Sequence, residues 1–245
     1  MTEPINNSLR YPLRALAAML GYPDEEVRTH ADDLADVLAV QPGLTREERS
    51  AVEHFTAWLR DDDLLEIQGT YVETFDRSKK VSLYLFEHVY GESRDRGPAM
   101  VELRNAYAEQ GLVIDCRELP DFLPLFLEFC AELPEAEARS WLDEVGEILQ
   151  QVHVRLVDRD SRYAVPLCVL LRMLGLEPLP EALMRASAGE ERDDTRAVLD
   201  RTWMEAPVTF GPDQPRTSCG ATKQWQEQPV QWVDNPRAGP APRST

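Results

Sequence analysis

From Leu9 onward the apolar residues of this chain recur at spacings of three and four, and each stretch is closed by glycine, proline or a capping side chain. That period lays one apolar stripe along a helix, whereas a half-buried strand needs strict alternation. Leu9, Leu13, Leu16 and Leu20 form the first stripe, and Gly21 followed by Pro23 supplies its stop. Thr45 with Glu48 three residues later has the form of a capping box, with Val52, Phe55 and Leu59 behind it. Asp61, Asp62 and Asp63 put negative charge at the start of a helix carrying Leu64, Ile67, Tyr71 and Phe75. Gly97-Pro98 reads as an N-cap with proline at the first helical position, followed by Met100, Leu103 and Tyr107 and ended by Gly111.

Asp121 reads as the cap of the next helix, in which Phe122, Leu125, Phe129 and Leu133 share a face and Pro124 falls in the first turn. Leu142, Val145, Leu149, Val152 and Leu156 predict one long amphipathic helix. Residues 161–174 are apolar nearly all round and predict a central helix, kinked or started late by Pro166. Asp193 and Asp194 open a last helix reaching Trp203. Residues 81–90 depart from the rule, because Val81, Leu83 and Leu85 alternate and satisfy a strand as well as a helix. From Ala206 on, seven prolines in forty residues and few aliphatics predict a segment that cannot offset its ordering entropy. The expected architecture is therefore all-α: a flexible terminus over 1–8, a single-domain helical bundle over 9–205 and a disordered tail over 206–245.

A formal net charge of −18 repels nucleic acid and anionic membrane and favours a cationic partner. The tail carries four basic and three acidic residues, so the acidity belongs to the helical body. Cys116, Cys130, Cys168 and Cys219 form no C-x-x-C pair, which suits a reducing compartment. The apolar run at 16–20 lacks a cleavage site, and the longest run, 163–171, is too short to span a bilayer, so a cytoplasmic protein without stable membrane association is expected.

Catalytic sets are missing from the sequence. His30, His54, His88 and His153 are dispersed, without an H-E-x-x-H arrangement. Glu87, His88 and Glu92 are the one candidate metal cluster, and Gly91 should break the helix between them, which favours a satisfied histidine over a ligand. Phosphate-loop, dinucleotide and nucleophile-elbow fingerprints do not occur, so no enzyme, metal or cofactor of its own is expected. What remains suits a polypeptide ligand. Tyr71, Phe75, Leu83 and Phe86 have the character of an apolar groove, Glu87, Glu92 and Asp95 of cation partners, and Arg94 and Arg96 of forks for carboxylate or phosphate. The plainer alternatives are core packing for the aromatics and a structural clasp on Glu92 or Asp95 for the arginines. A second constellation is Glu118-Leu119-Pro120-Asp121, leading into Phe122 and Leu125, where capping alone would justify Asp121.

These stretches carry a resemblance. F-E-H-V-x-G-E-S-R-D-R-G within residues 75–103 and the E-L-P-D-x-L-P pattern from Glu118 are similar to the delta-subunit family of respiratory nitrate reductase assembly chaperones. Gly21-Tyr22-Pro23, residues 71–76, residues 161–165 and Asp193-Asp194-Thr195 extend the likeness over roughly residues 10 to 205. The wider molybdoenzyme maturation chaperones carry an E-P-D-H-like signature, from which this chain departs by an inserted leucine and by Phe122 in place of histidine. The resemblance implies a dedicated cytoplasmic chaperone that binds the apo alpha subunit of nitrate reductase, including its N-terminal segment. It would hold that subunit competent for insertion of molybdenum cofactor and for membrane attachment, and would not remain in the finished enzyme. The expected client-binding residues are Tyr71, Phe75, Leu83, Phe86, Glu87, His88, Arg94, Asp95, Arg96, Glu118, Asp121 and Leu125. Among them Tyr71, Phe75 and Leu125 are expected on the peptide's apolar side, and Glu87, Asp95 and Asp121 on its cations. The rivals are a chaperone for a sulfoxide or N-oxide reductase, a small-molecule enzyme using Glu87, His88 and Arg94, and an inert helical adaptor.

Overall fold

Leu13, Leu16 and Leu20 are fully buried along one side of α1 (Arg10–Leu20), with Leu9 beside them. The structure, a computed structural model, describes residues 8–91, 93–114, 118–195, 198 and 200. The terminus before Ser8, Glu92, Cys116 and the tail over 206–245 with Cys219 lie outside these residues. Among the described residues the chain is all α. After α1 come α2 (Glu25–Thr29), α3 (Ala31–Ala39), α4 (Arg46–Asp61), α5 (Leu64–Phe75), α6 (Leu85–Tyr90) and α7 (Arg96–Glu109). The second half holds α8 (Leu123–Glu132), α9 (Glu135–Glu144), α10 (Gly146–Asp158), α11 (Ala164–Met173) and α12 (Glu181–Ser187).

α8 and α11 are apolar nearly all round and bury most of their residues, so they occupy the interior. α1 packs along α8 and also meets α11, while α4 pairs with α3 and α11 and α10 lies against α11. Glu132 at the end of α8 locks the first pairing, accepting Arg10 Nη2 at 2.9 and 3.1 Å and also pairing with Arg14. A ring of edge-to-face aromatics, Phe55, Trp58, Tyr71 and Phe75, surrounds the fully buried Tyr163 just ahead of α11.

The local signals behave as their chemistry dictates. Thr45 Oγ1 accepts from the Glu48 N–H at 3.1 Å, and Glu48 Oε2 accepts from the Thr45 N–H at 2.8 Å. The other carboxylate oxygen of Glu48 accepts from Arg172 Nε at 2.9 Å, so the capping box also ties α4 to α11. Desolvation works against the ionised form of Glu48, but these hydrogen bonds prevail and hold it below the usual carboxylate range. Thr45→Ala is expected to cost about 1 kcal/mol, read as a lowered urea midpoint at unchanged slope. An unshifted midpoint would show that the cap adds nothing to the α4–α11 tie. Asp63 caps α5, Gly111 adopts φ +78° after α7, and α11 begins late enough that Pro166 falls in its first turn.

Four expectations are corrected. The stripe from Leu142 to Leu156 is two helices, because the backbone at Val145 opens to φ −99°, ψ 0° between α9 and α10. Gly146 follows at once, and a β-carbon there would lie 2.9 Å from the Leu176 side chain, so the break lets α10 start close against the chain beyond α11. α7 begins at Arg96, which places Gly97 and Pro98 inside its first turn, not at the cap. Asp121 does not cap its own helix: α8 follows Phe122 with no side-chain cap. Asp193 and Asp194 do not open the last helix but lie in a bend, with both carboxylates turned to Arg159 at 2.8 and 3.6 Å; beyond them residues 198 and 200 are helical, and the rest of the stretch expected to reach Trp203 lies mostly outside the described residues. α2, α3 and α12 were not anticipated. Residues 81–90 satisfy both readings in part, since a 3-10 turn (Lys79–Val81) leads to an antiparallel bridge of Tyr84 with Phe122, and α6 follows.

Candidate functional site

The end of α1 builds one wall of an open groove. Tyr71 Oη donates to the Leu20 carbonyl at 3.2 Å, and Gln68 Nε2 donates to the Pro23 carbonyl at 2.8 Å, which fixes the Gly21-Tyr22-Pro23 turn from below. Asp24 then starts α2 by accepting the Val27 N–H at 2.9 Å. Tyr22, Val27 and Leu34 of α3 thereby line a groove of about 730 Å³ together with Phe122, Pro124 and Leu125 of the α8 start. Ala17, Ala18 and Gly21 line it as well, and their small size keeps the space open. Asp24, Glu26, Glu118 and Glu128 stand around this apolar surface with His30, and among the described residues no lysine or arginine lines it. Desolvation raises the Glu128 carboxyl above its ordinary range, with Arg14 acting in the opposite direction. The arrangement suits a ligand with an apolar face and positive charge at its margins.

Of the twelve residues expected to bind, Glu118 and Leu125 line this groove. Tyr71 and Phe75 are 6% and 7% exposed and pack on each other and on Tyr163, with Tyr71 supporting Tyr22 edge-to-face at 5.5 Å. Their stripe faces the core, and in this conformation a peptide cannot touch them. Leu83 and the backbone of Leu85 pair with the segment ahead of α8: the Leu123 N–H donates to the Leu83 carbonyl at 2.8 Å, and the Leu85 N–H to the Asp121 carbonyl at 2.9 Å. Leu83 is 3% exposed, so it too is core in this conformation.

Asp121 is fully buried, and its Oδ2 accepts the Phe86 N–H at 3.0 Å, thus capping α6 from a distant part of the chain. Arg96 Nη2 lies 3.5 Å from the same carboxylate, and Arg96 Nη1 lies 3.5 Å from Glu87. Desolvation raises the Asp121 carboxyl, the Phe86 N–H and Arg96 pulling the other way. Arg96 is therefore a clasp, on Glu87 and Asp121 and not on Asp95, and Asp121 has no surface to offer a peptide cation here. Phe86 is half-buried against the core, and the ring of His88 directs Nε2 at the Ser82 carbonyl, 2.8 Å away. Burial lowers the His88 pKa, which favours the neutral imidazole. Arg94 and Asp95 are exposed in the turn before α7 and do not line the groove. Among the described residues no group of three or more histidines, cysteines or carboxylates could hold a metal ion.

The model of the nitrate reductase delta subunit family matches residues 24–169, which include α2, α3 and the whole α8 wall of the groove. The chain belongs to the nitrate reductase delta subunit family. Within this family it is 40% identical over 205 residues to the nitrate reductase molybdenum cofactor assembly chaperone NarJ of Escherichia coli (strain K12), covering 84% of this chain and 86% of that one. It is 38% identical over 210 residues to the probable nitrate reductase molybdenum cofactor assembly chaperone NarW of the same strain, with 86% and 87% covered. Identity to the probable NarJ chaperone of Bacillus subtilis (strain 168) is 37% over 163 residues, 65% of this chain and 86% of the relative.

In this delta-subunit family chain the groove residues that sequence reasoning missed are Tyr22, Val27, Leu34 and Glu128. A signal for two of them existed. Val27, Ala31, Leu34 and Leu38 stand at spacings of four, three and four behind the Asp24 cap, and the break at His30 between α2 and α3 does not erase the stripe. Ala31 and Leu38 turn into the core, leaving Val27 and Leu34 half-exposed at its edge. Among the described residues no helix is long and apolar enough to cross a membrane.

Proposed function

We propose that this chain is a non-catalytic, client-specific chaperone of respiratory nitrate reductase. It binds the apo alpha subunit in the cytoplasm, engages that subunit's N-terminal segment in the groove between the α1–α3 corner and α8, and keeps it competent for molybdenum cofactor insertion and membrane attachment. The observation that carries this reading is the groove itself, with an apolar lining of Tyr22, Val27, Leu34, Phe122 and Leu125 bordered by four carboxylates and no cation of the described residues. A basic amphipathic segment would lay its apolar side on these residues while its arginines meet Glu118 and Glu128. The relatives named for nitrate reductase favour this client over a sulfoxide or N-oxide reductase.

The expected contacts are correspondingly revised. Leu125 and Glu118 are kept, Tyr71 acts through Tyr22, and Asp121 acts by holding α6 and the α8 start in register. Calorimetry with the synthetic N-terminus of the alpha subunit should give saturable, exothermic binding that weakens with added salt. No heat, together with no competition against the intact subunit, would remove the groove from consideration.

Glu128 adds a pH signature. A carboxylate attracts the peptide's cations only when ionised, and the raised pKa of Glu128 means that it takes up a proton sooner than an ordinary carboxylate as pH falls. Affinity should therefore be full at neutral pH and decline on acidification, beginning above the usual range near pH ~4.3. Glu128→Gln should weaken binding at neutral pH by about fivefold and remove that part of the decline.

A further inference from the structure

In a chain with net charge −18, four arginines line a single cavity of about 390 Å³ that shares no residue with the groove. Arg77 comes from just beyond α5, Arg159 and Arg162 from the turn between α10 and α11, and Arg192 from the segment after α12. Thr70, Thr74 and Ser161 contribute hydroxyls, and Glu73, Asp160 and Asp194 contribute carboxylates. These acids leave much donor capacity unused. Asp194 is held by both its oxygens on Arg192, at 3.0 and 2.7 Å. Glu73 reaches Arg77 only at 3.6 Å, with both side chains more than half exposed. Arg162 lies over the Trp58 ring at 5.4 Å and, among the described residues, has no carboxylate partner.

Arg159 supplies the independent sign of a ligand. Its side chain is 7% exposed, Nη2 donates to Asp193 at 2.8 Å, and the buried Nη1 makes no hydrogen bond, its carboxylate neighbour Asp194 Oδ2 standing off at 3.6 Å. A buried guanidinium donor left unmade is costly, and here it belongs to a residue in the wall of a polar cavity lined by three further arginines.

We propose that this cavity binds a small diphosphate-bearing anion, with Arg77, Arg159 and Arg162 as its donors. Guanidinium forks match phosphate oxygens, and a diphosphate offers enough of them to occupy three forks from two parts of the chain. No phosphate-binding loop is needed, which is why no sequence fingerprint announces the site.

The test is calorimetry of the full chain with inorganic pyrophosphate, run beside orthophosphate and beside the alpha-subunit peptide. Pyrophosphate should bind saturably, more tightly than orthophosphate and more weakly as salt rises. Arg77→Gln and Arg162→Gln, both at exposed positions, should each weaken it by about tenfold while circular dichroism and peptide binding stay unchanged. Absence of pyrophosphate binding, or equal binding by the double variant, overturns the proposal. Loss of peptide binding with pyrophosphate binding intact would count against the groove alone.

Discussion

Arg159→Ala should lower the unfolding free energy by about 3 kcal/mol, because it removes the ion-pair partner of the half-buried Asp193. In the native chain Asp193 accepts from Arg159 Nη2 at 2.8 Å, from Ser78 Oγ at 2.6 Å and from the Lys80 N–H at 3.1 Å. Desolvation opposes the charge on Asp193, but these donors prevail and hold its pKa below the ordinary carboxylate value. Asp194 is held low chiefly by Arg192, with Arg159 contributing. The clasp joins the end of α10, the 3-10 turn after α5 and the chain beyond α12, and the pairs of Glu190 with Arg155 and Lys80 lie beside it.

The sign of the pH effect follows. A carboxylate whose folded pKa is depressed contributes stability that is present above its unfolded value near pH ~3.9 and is lost as pH falls through the folded value. Wild-type protein should therefore lose this contribution in acid, and Arg159→Ala should show a flatter dependence there as well as a lower urea midpoint at neutral pH. A midpoint within error of wild type would mean that Ser78 and Lys80 suffice to hold Asp193.

The second large effect is on recognition. Leu125→Glu should weaken binding of the alpha-subunit N-terminus by about a hundredfold or more, since it sets a charge where the peptide's apolar side must lie and removes a leucine's worth of contact. Leu125 is only partly buried at the groove, so helix content and the urea midpoint should change little. Leu125→Ala, which removes contact without adding charge, should lose about tenfold. If Leu125→Glu unfolds the chain, the residue is core and the groove is misplaced; if it folds and binds normally, the peptide lies elsewhere.

Much of the helical order was legible because its causes are local. The Leu9 to Leu20 stripe, the Thr45–Glu48 box, the Asp63 cap, Gly111 and the late start forced by Pro166 each act within one or two turns, and each is found where its chemistry requires. The break at Val145 was not legible, since periodicity runs through it unchanged while the approach to Leu176 is a tertiary event. The candidate site was legible only in part. Glu118 and Leu125 belong to the groove, yet Tyr22, Val27, Leu34 and Glu128 complete it from elements whose meeting only the tertiary structure shows.

The residues alone determined an acidic, helical chain whose motifs resemble one chaperone family, because charge, period and capping are properties of neighbours along the backbone. Which apolar stripe is covered and which stays open is a property of how helices meet. Tyr71 and Phe75 present the same spacing as a binding face, but Tyr163 closes over them. Asp121 reads as a cap for its own helix, but folding brings the Phe86 N–H to it from 35 residues away. A side chain's choice between burial, capping and display is settled by partners distant in sequence, and only the tertiary structure supplies those.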